Sequence, residues 1–205
     1  MVILLMEARK LGSICGIITP LVAYIFIFTA ILNAPGFSWA TNALSDLGVW
    51  SIPLVPILFN TGLIISGLLL LGFTINLFIE MEDILGKIGA LVFILDALSL
   101  IGVGVFPEDI PLWHFFFSVM FFSLVPIALL IITADFVLRK ENIELAALAV
   151  ICAILVVIIW AMPWSNIGVT GVAIPEFLSS LVGSLWVIGM SWKMLKLSTK
   201  NKGKG

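Results

Sequence analysis

The chain has 205 residues, 62% of them hydrophobic and only 11% charged, with a mean hydropathy of +1.27. A soluble domain carries about 25% charged residues, so the composition excludes a water-soluble globule and makes lipid the expected solvent. The formal net charge is −2, and the basic residues are scattered along helix ends and a C-terminal tail, which argues against nucleic acid and leaves membrane lipids as the expected partners.

A membrane span needs roughly 20 apolar residues. Six stretches qualify: 11–32, 53–79, 86–105, 112–138, 145–163 and 175–195. The expected fold class is all-α, a polytopic membrane protein built as a six-transmembrane-helix bundle, with residues 1–205 forming a single integral membrane domain. Nothing in the sequence indicates oligomerisation.

The first stretch follows Arg9 and Lys10 and is 22 residues long. That exceeds a typical signal-peptide core, so a retained span is expected. Gly12 and Gly16 form a GxxxG pair that lets helices approach closely, and Pro20 is expected to kink the span. Cys15 here and Cys152 in the fifth stretch suit small apolar packing rather than a disulfide or a thiolate metal site.

The second, fourth and sixth stretches begin alike, with Ile52-Pro53, Ile110-Pro111 and Ile174-Pro175. Proline suits the first turn of a helix, where its missing N–H is not needed. A repeated two-helix unit of about 60 residues would produce this pattern, and so would apolar low complexity. Glu176 and Asp109 sit at two of these starts and are expected to cap them. Asp135 and Arg139, and likewise Asp83 and Lys87, have the i,i+4 spacing of interfacial ion pairs.

All ten Lys and Arg residues lie at or beyond the same ends of the six stretches. Basic residues flanking spans are retained in the cytoplasm, so a multi-pass protein of the cell membrane with both termini cytoplasmic is expected. The opposite ends carry Asp46, Glu108, Asp109 and Glu176 without a base. Trp39, Trp50, Trp113, Trp160 and Trp164 gather at that boundary as an aromatic belt, with Trp192 at the other.

Asp96 lies in the middle of the third stretch, ~14 Å from its outer end. A carboxylate there costs several kcal/mol unless it is paired or neutralised. No Lys or Arg occurs at that depth, so Asp96 either holds a proton or is satisfied by hydrogen bonds. Other stretches bring polar residues to the same half: Asn60 in the second, His114 and Ser118 at i and i+4 in the fourth, and Glu176, Ser179 and Ser180 in the sixth. With Asn42, Ser45 and Asp46 from the 33–52 connection, they suggest an outward-opening polar pocket. Its candidate ligand-binding residues are Asn42, Asn60, Asp96, Glu108, Ser118 and Glu176.

Ser45, Asp46 and His114 match a hydrolase triad in composition. No nucleophile-elbow sequence surrounds Ser45, so no catalytic residue is assigned and enzymatic activity stays open. With a single histidine, a zinc site is not expected. A carboxylate set including Asp46, Asp96, Glu108 and Glu176 would suit a hard cation better. No metal and no cofactor is assigned.

The segments Asn42-Ala43-Leu44-Ser45-Asp46-Leu47-Gly48, Phe59-Asn60-x-Gly62 and Gly104-Val105-Phe106-Pro107-Glu108, with His114 downstream, resemble the prokaryotic domain-of-unknown-function family 998. The Ser-Asp-x-Gly loop, the following Asn and the later His also resemble, more loosely, the eukaryotic DRAM/Sfk-type six-span family. These resemblances imply six spans with cytoplasmic termini and a link to membrane-lipid biology, with Ser45, Asp46, Gly48, Asn60 and His114 as the motif residues. The expected function is binding of, or action on, a lipid headgroup or amphiphile. The alternatives are a small proton- or cation-coupled transporter using Asp96, and a non-catalytic scaffold whose tail of Lys193, Lys196, Lys200, Lys202 and Lys204 meets anionic lipid.

Overall fold

Each apolar stretch becomes one helix. The computed structural model describes the backbone of residues 2–202 and the side chains of residues 7–198. Lys204 and the side chains of Lys200 and Lys202, which belong to the expected lipid-binding tail, lie outside the described residues. The helices are α1 (Val2–Leu32), α2 (Leu54–Glu80), α3 (Ile84–Val105), α4 (Pro111–Arg139), α5 (Ile143–Ala161) and α6 (Ala173–Lys202). Six of the described helices are long and apolar enough to cross a membrane, and no strand occurs among the described residues. The chain is an all-helical, multi-pass membrane protein.

The boundaries follow local chemistry. Pro53 immediately precedes α2, and Pro111 opens α4, where a missing N–H costs nothing. The fifth helix stops at Ala161 rather than 163, because the residue before Pro163 is pushed out of the helical region. Two short 3₁₀ turns, Ser45–Val49 and Trp164–Ile167, lie in the connections that follow α1 and α5. Pro20 and Pro126 lie inside α1 and α4, and both helices continue through them.

Helices adjacent in sequence pack against each other, and α6 returns against α1, which closes a ring. One face of the bundle, here the terminal face, brings together the start of α1, the α2–α3 and α4–α5 turns and the end of α6. The other, the loop face, carries residues 33–53, 106–110 and 162–172. In the half toward the terminal face, Phe93 sits edge-on between Phe73 and Trp186, with ring centroids 6.4 and 5.8 Å away. Trp186 is fully buried and its Nε1–H donates to the Leu145 carbonyl at 3.2 Å, so one side chain ties α3, α5 and α6 together. The GxxxG pair serves two interfaces: Gly12 lies against Asn76 of α2, and Gly16 against both Ser191 of α6 and Phe73.

The terminal face corrects the expected ion pairs. Asp135 is buried, and its Oδ1 accepts the Gly86 backbone N–H at 3.0 Å instead of pairing with Arg139. That donor is one of the orphan N–H groups at the start of α3, and burial makes satisfying it more urgent than an exposed ion pair. Arg139 turns to Glu82 at 2.7 Å, Glu141 at 3.2 Å and Asp83 at 3.7 Å, so Asp83 faces Arg139 rather than Lys87. Arg9 pairs with Glu80. Lys193 and Lys196 lie over the rings of Phe136 and Trp192 at 5.9 and 5.3 Å, an arrangement suited to an interfacial boundary.

Candidate functional site

The loop face is closed by a knitted cap. Its centre is the 3₁₀ turn Ser45–Val49, in which Ser45, Leu47 and Gly48 are buried. The turn is set up locally: Asn42 Oδ1 accepts the Ser38 N–H at 3.0 Å, while Asn42 Nδ2 and the Ala43 N–H donate to Asp46 Oδ2 at 2.6 and 3.0 Å. Asn and Asp side chains commonly hold such turns by bonding nearby backbone.

Three longer bonds then moor the turn to separate elements. Asn60 Nδ2 in α2 donates to the Gly48 carbonyl at 3.0 Å. Ser45 Oγ donates to Glu108 Oε1 in the α3–α4 connection at 2.5 Å. Glu176 Oε2 in the first turn of α6 accepts the Leu44 N–H at 2.6 Å. The backbone adds further stitches, with Thr170 and Gly171 N–H donating to the Ala40 carbonyl at 2.7 and 2.9 Å and Ala173 N–H to that of Asn42 at 2.9 Å. Glu176 therefore braces the cap rather than capping its own helix. Asp109 makes no cap either: Ile110 holds the N-cap position of α4, with no side-chain bond.

The residues that match a hydrolase in composition do not assemble as a relay. Asp46 is committed to Asn42 and Ala43, whereas His114 Nε2 is 4.0 Å from Glu108 and 3.3 Å from Ser118 Oγ. His114 Nδ1 lies 2.8 Å from the Phe106 carbonyl. A carbonyl only accepts, so Nδ1 carries the proton, and in the neutral ring Nε2 accepts from Ser118. His114 thus secures the end of α3 to α4. The Ser-Asp-x-Gly loop, Asn60 and His114 are brought together, with Glu108 Oε1 accepting from Ser45 Oγ and lying 4.0 Å from His114 Nε2.

Beneath the cap lies a cavity of about 120 Å³, against the ~10–15 Å³ that a single water needs. Leu44, Ser45 and Glu176 bound it at the loop face, and it reaches down to Asp96, Phe93 and Leu70. Where a polar pocket was expected, the cavity lining is mostly apolar. Asn42, Asp46, Asn60, Glu108 and His114 lie outside its lining; Ser45, Asp96, Ser118 and Glu176 belong to it.

Two polar groups on its wall stand out. Asp96 is fully buried, and neither of its carboxylate oxygens meets a hydrogen-bond partner among the described residues. Ser179 Oγ, also buried, has none either. Counting helical rise, Ser179 is ~9 Å and Asp96 ~14 Å from the loop-face ends of their helices. Buried polar groups are otherwise almost always bonded. No Lys, Arg or His lines the chamber. No group of three His, Cys, Asp or Glu side chains suited to a metal ion occurs among the described residues.

The sequence did not single out Tyr24. Its hydroxyl lies 3.3 and 3.2 Å from the Ser180 and Ser184 hydroxyls across the α1–α6 seam, and all three residues line the chamber. As the only tyrosine in an apolar chain, it was the available signal.

No curated protein and no solved structure matches the chain. A family model described as "Protein of unknown function (DUF998)" matches residues 17–193. That range holds every residue lining the chamber and every side chain mooring the cap, and the chain belongs to the DUF998 family.

Proposed function

We propose that this protein binds an amphiphile inside the membrane, in the capped chamber. The apolar part of the ligand would lie along Phe59, Leu63, Phe121 and Val125, and its polar part would meet Ser179 and Asp96. The observation that carries the reading is the pairing of an apolar wall with unsatisfied polar groups in one cavity. An empty apolar chamber needs no carboxylate, and a carboxylate in lipid surroundings needs a partner. The charge asymmetry argues that the loop face is turned outward, which would let the cap guard access from that side.

The test is lipid recovery. The chain, extracted from its own membranes into nanodiscs without detergent exchange, should carry one amphiphile class enriched over the surrounding bilayer. Gly183 lines the chamber, and a Cβ there would meet only Val125 Cγ1, at 3.4 Å. A Gly183→Phe plug should therefore be accommodated and should displace the enriched species. Identical recovery from wild type and plug would remove the proposal.

Transport is the second reading, and the mid-membrane depth of Asp96 is what favours it. Beyond Asp96, Phe73, Phe93 and Trp186 fill the path toward the terminal face. Thr74 and Asn76 are committed to the Leu71 and Arg9 carbonyls at 3.1 and 3.0 Å. The arrangement supports a one-sided chamber better than a conducting path.

A further inference from the structure

If the chamber holds an amphiphile, its electrostatics restrict the polar group. We propose that the ligand is a lipophilic amine, bound as its ammonium form with Asp96 as the counter-ion. This rests on the amphiphile-binding reading and narrows it to one chemical class.

The wall of the chamber contains two carboxyl groups, Asp96 and Glu176, and no Lys, Arg or His. Glu176 is already engaged with the Leu44 N–H. Asp96 is not engaged, and both its oxygens are free to accept from a cation. A phosphate or carboxylate headgroup would find no base on the wall to compensate its charge, an arrangement that is costly in a low-dielectric site. A neutral hydroxyl could bond to Asp96 but would bring it no counter-charge.

A bare metal cation fits less well. Hard cations take six to eight oxygen ligands, and the nearby lining is largely hydrocarbon. An organic ammonium needs few acceptors and brings its own apolar substituents. Tyr24, Phe59, Phe93, Phe121 and Phe122 also present aromatic rings to the chamber, and ring faces attract ammonium groups.

The experiment compares three single-chain probes of equal length on the purified protein: dodecylamine, dodecanol and dodecanoate, with occupancy counted by native mass spectrometry. Dodecylamine should bind one per chain and at least about tenfold more tightly than dodecanol, as a charge-assisted contact requires, and dodecanoate least. In Asp96→Asn, dodecylamine affinity should fall to that of dodecanol, with dodecanol unchanged. Equal binding of amine and alcohol to wild type, or amine binding undiminished in Asp96→Asn, overturns the charge assignment while leaving the chamber as an amphiphile site. Binding of none of the three overturns the charge assignment as well, and then the lipid recovery from native membranes decides whether the chamber holds an amphiphile at all. The wild-type comparison decides the matter even where the variant does not fold.

Discussion

Glu176 and Leu44 are 132 positions apart, yet the Glu176 carboxylate accepts the Leu44 N–H at 2.6 Å inside the protein. This bond joins the first turn of α6 to the cap and places the two residues side by side on the chamber wall. It makes the cap a part of the six-helix ring rather than a surface loop.

Removing the acceptor should loosen the cap before it unfolds the bundle. Glu176→Ala leaves the buried Leu44 N–H without a partner, a loss of about 1–3 kcal/mol. Glu176→Gln retains an acceptor oxygen and should lose less. Hydrogen exchange read at the Leu44 amide should rise strongly in the alanine variant and weakly in the glutamine variant. Equal protection of Leu44 in wild type and Glu176→Ala would show that the bond does not hold the cap.

The cap is also pressed against the α5–α6 connection at Gly171. A methyl group there would overlap the backbone of Thr41 and Asn42, and backbone cannot swing aside as a long side chain can. Gly171→Ala should therefore cost about 1–3 kcal/mol as an overpacking change. Gly183→Ala faces a chamber rather than a wall and should be neutral or stabilising by about 0.5–1 kcal/mol, since it removes a glycine from mid-helix. Thermal midpoints of the two variants, measured side by side in one detergent, check the ordering; a Gly183→Ala protein less stable than Gly171→Ala would contradict it.

The spans were legible because lipid imposes one long apolar run per helix, and the proline starts of α2 and α4 were legible because proline restricts what precedes it. The isolation of Asp96 followed from the absence of bases at its depth. What the sequence hid are contacts whose partners lie far along the chain. Tyr24 meets Ser180 and Ser184 at separations of 156 and 160 positions. Asp135 has Arg139 at a favourable helical spacing, but its real partner is a backbone N–H 49 positions away. Backbone donors carry no residue signature, so neither the Gly86 bond nor the Leu44 bond could be found by pattern. The cap residues were recognised as a group, yet their spacing suggested a pocket lining, and they act instead as the fastening above it.

The Asp135 correction has a direct consequence. Asp135→Ala strands the Gly86 N–H in a buried position and should cost about 1–3 kcal/mol. Glu82→Ala removes one of three carboxylates around Arg139, and the Glu82 side chain is 77% exposed. An exposed partner with two neighbours to replace it should leave the thermal midpoint unchanged. If Glu82→Ala proves the more damaging of the two, the buried bond is not what seats the start of α3.

Which way the bundle faces decides what the chamber can sample. Among the described side chains every Lys and Arg lies toward the terminal face, and residues 33–53, 106–110 and 162–172 contain none. If basic flanks are retained in the cytoplasm, the expected orientation has the cap outward. Ser165, in the 3₁₀ turn of the α5–α6 connection, and Glu144, in the first turn of α5, are both exposed and lie on opposite faces. In a Cys15→Ala, Cys152→Ala background, Ser165→Cys should react with a membrane-impermeant maleimide on intact cells. Glu144→Cys should react only after permeabilisation. The reverse pattern would turn the cap toward the cytoplasm, and an amine ligand would then have to be drawn from the inner leaflet.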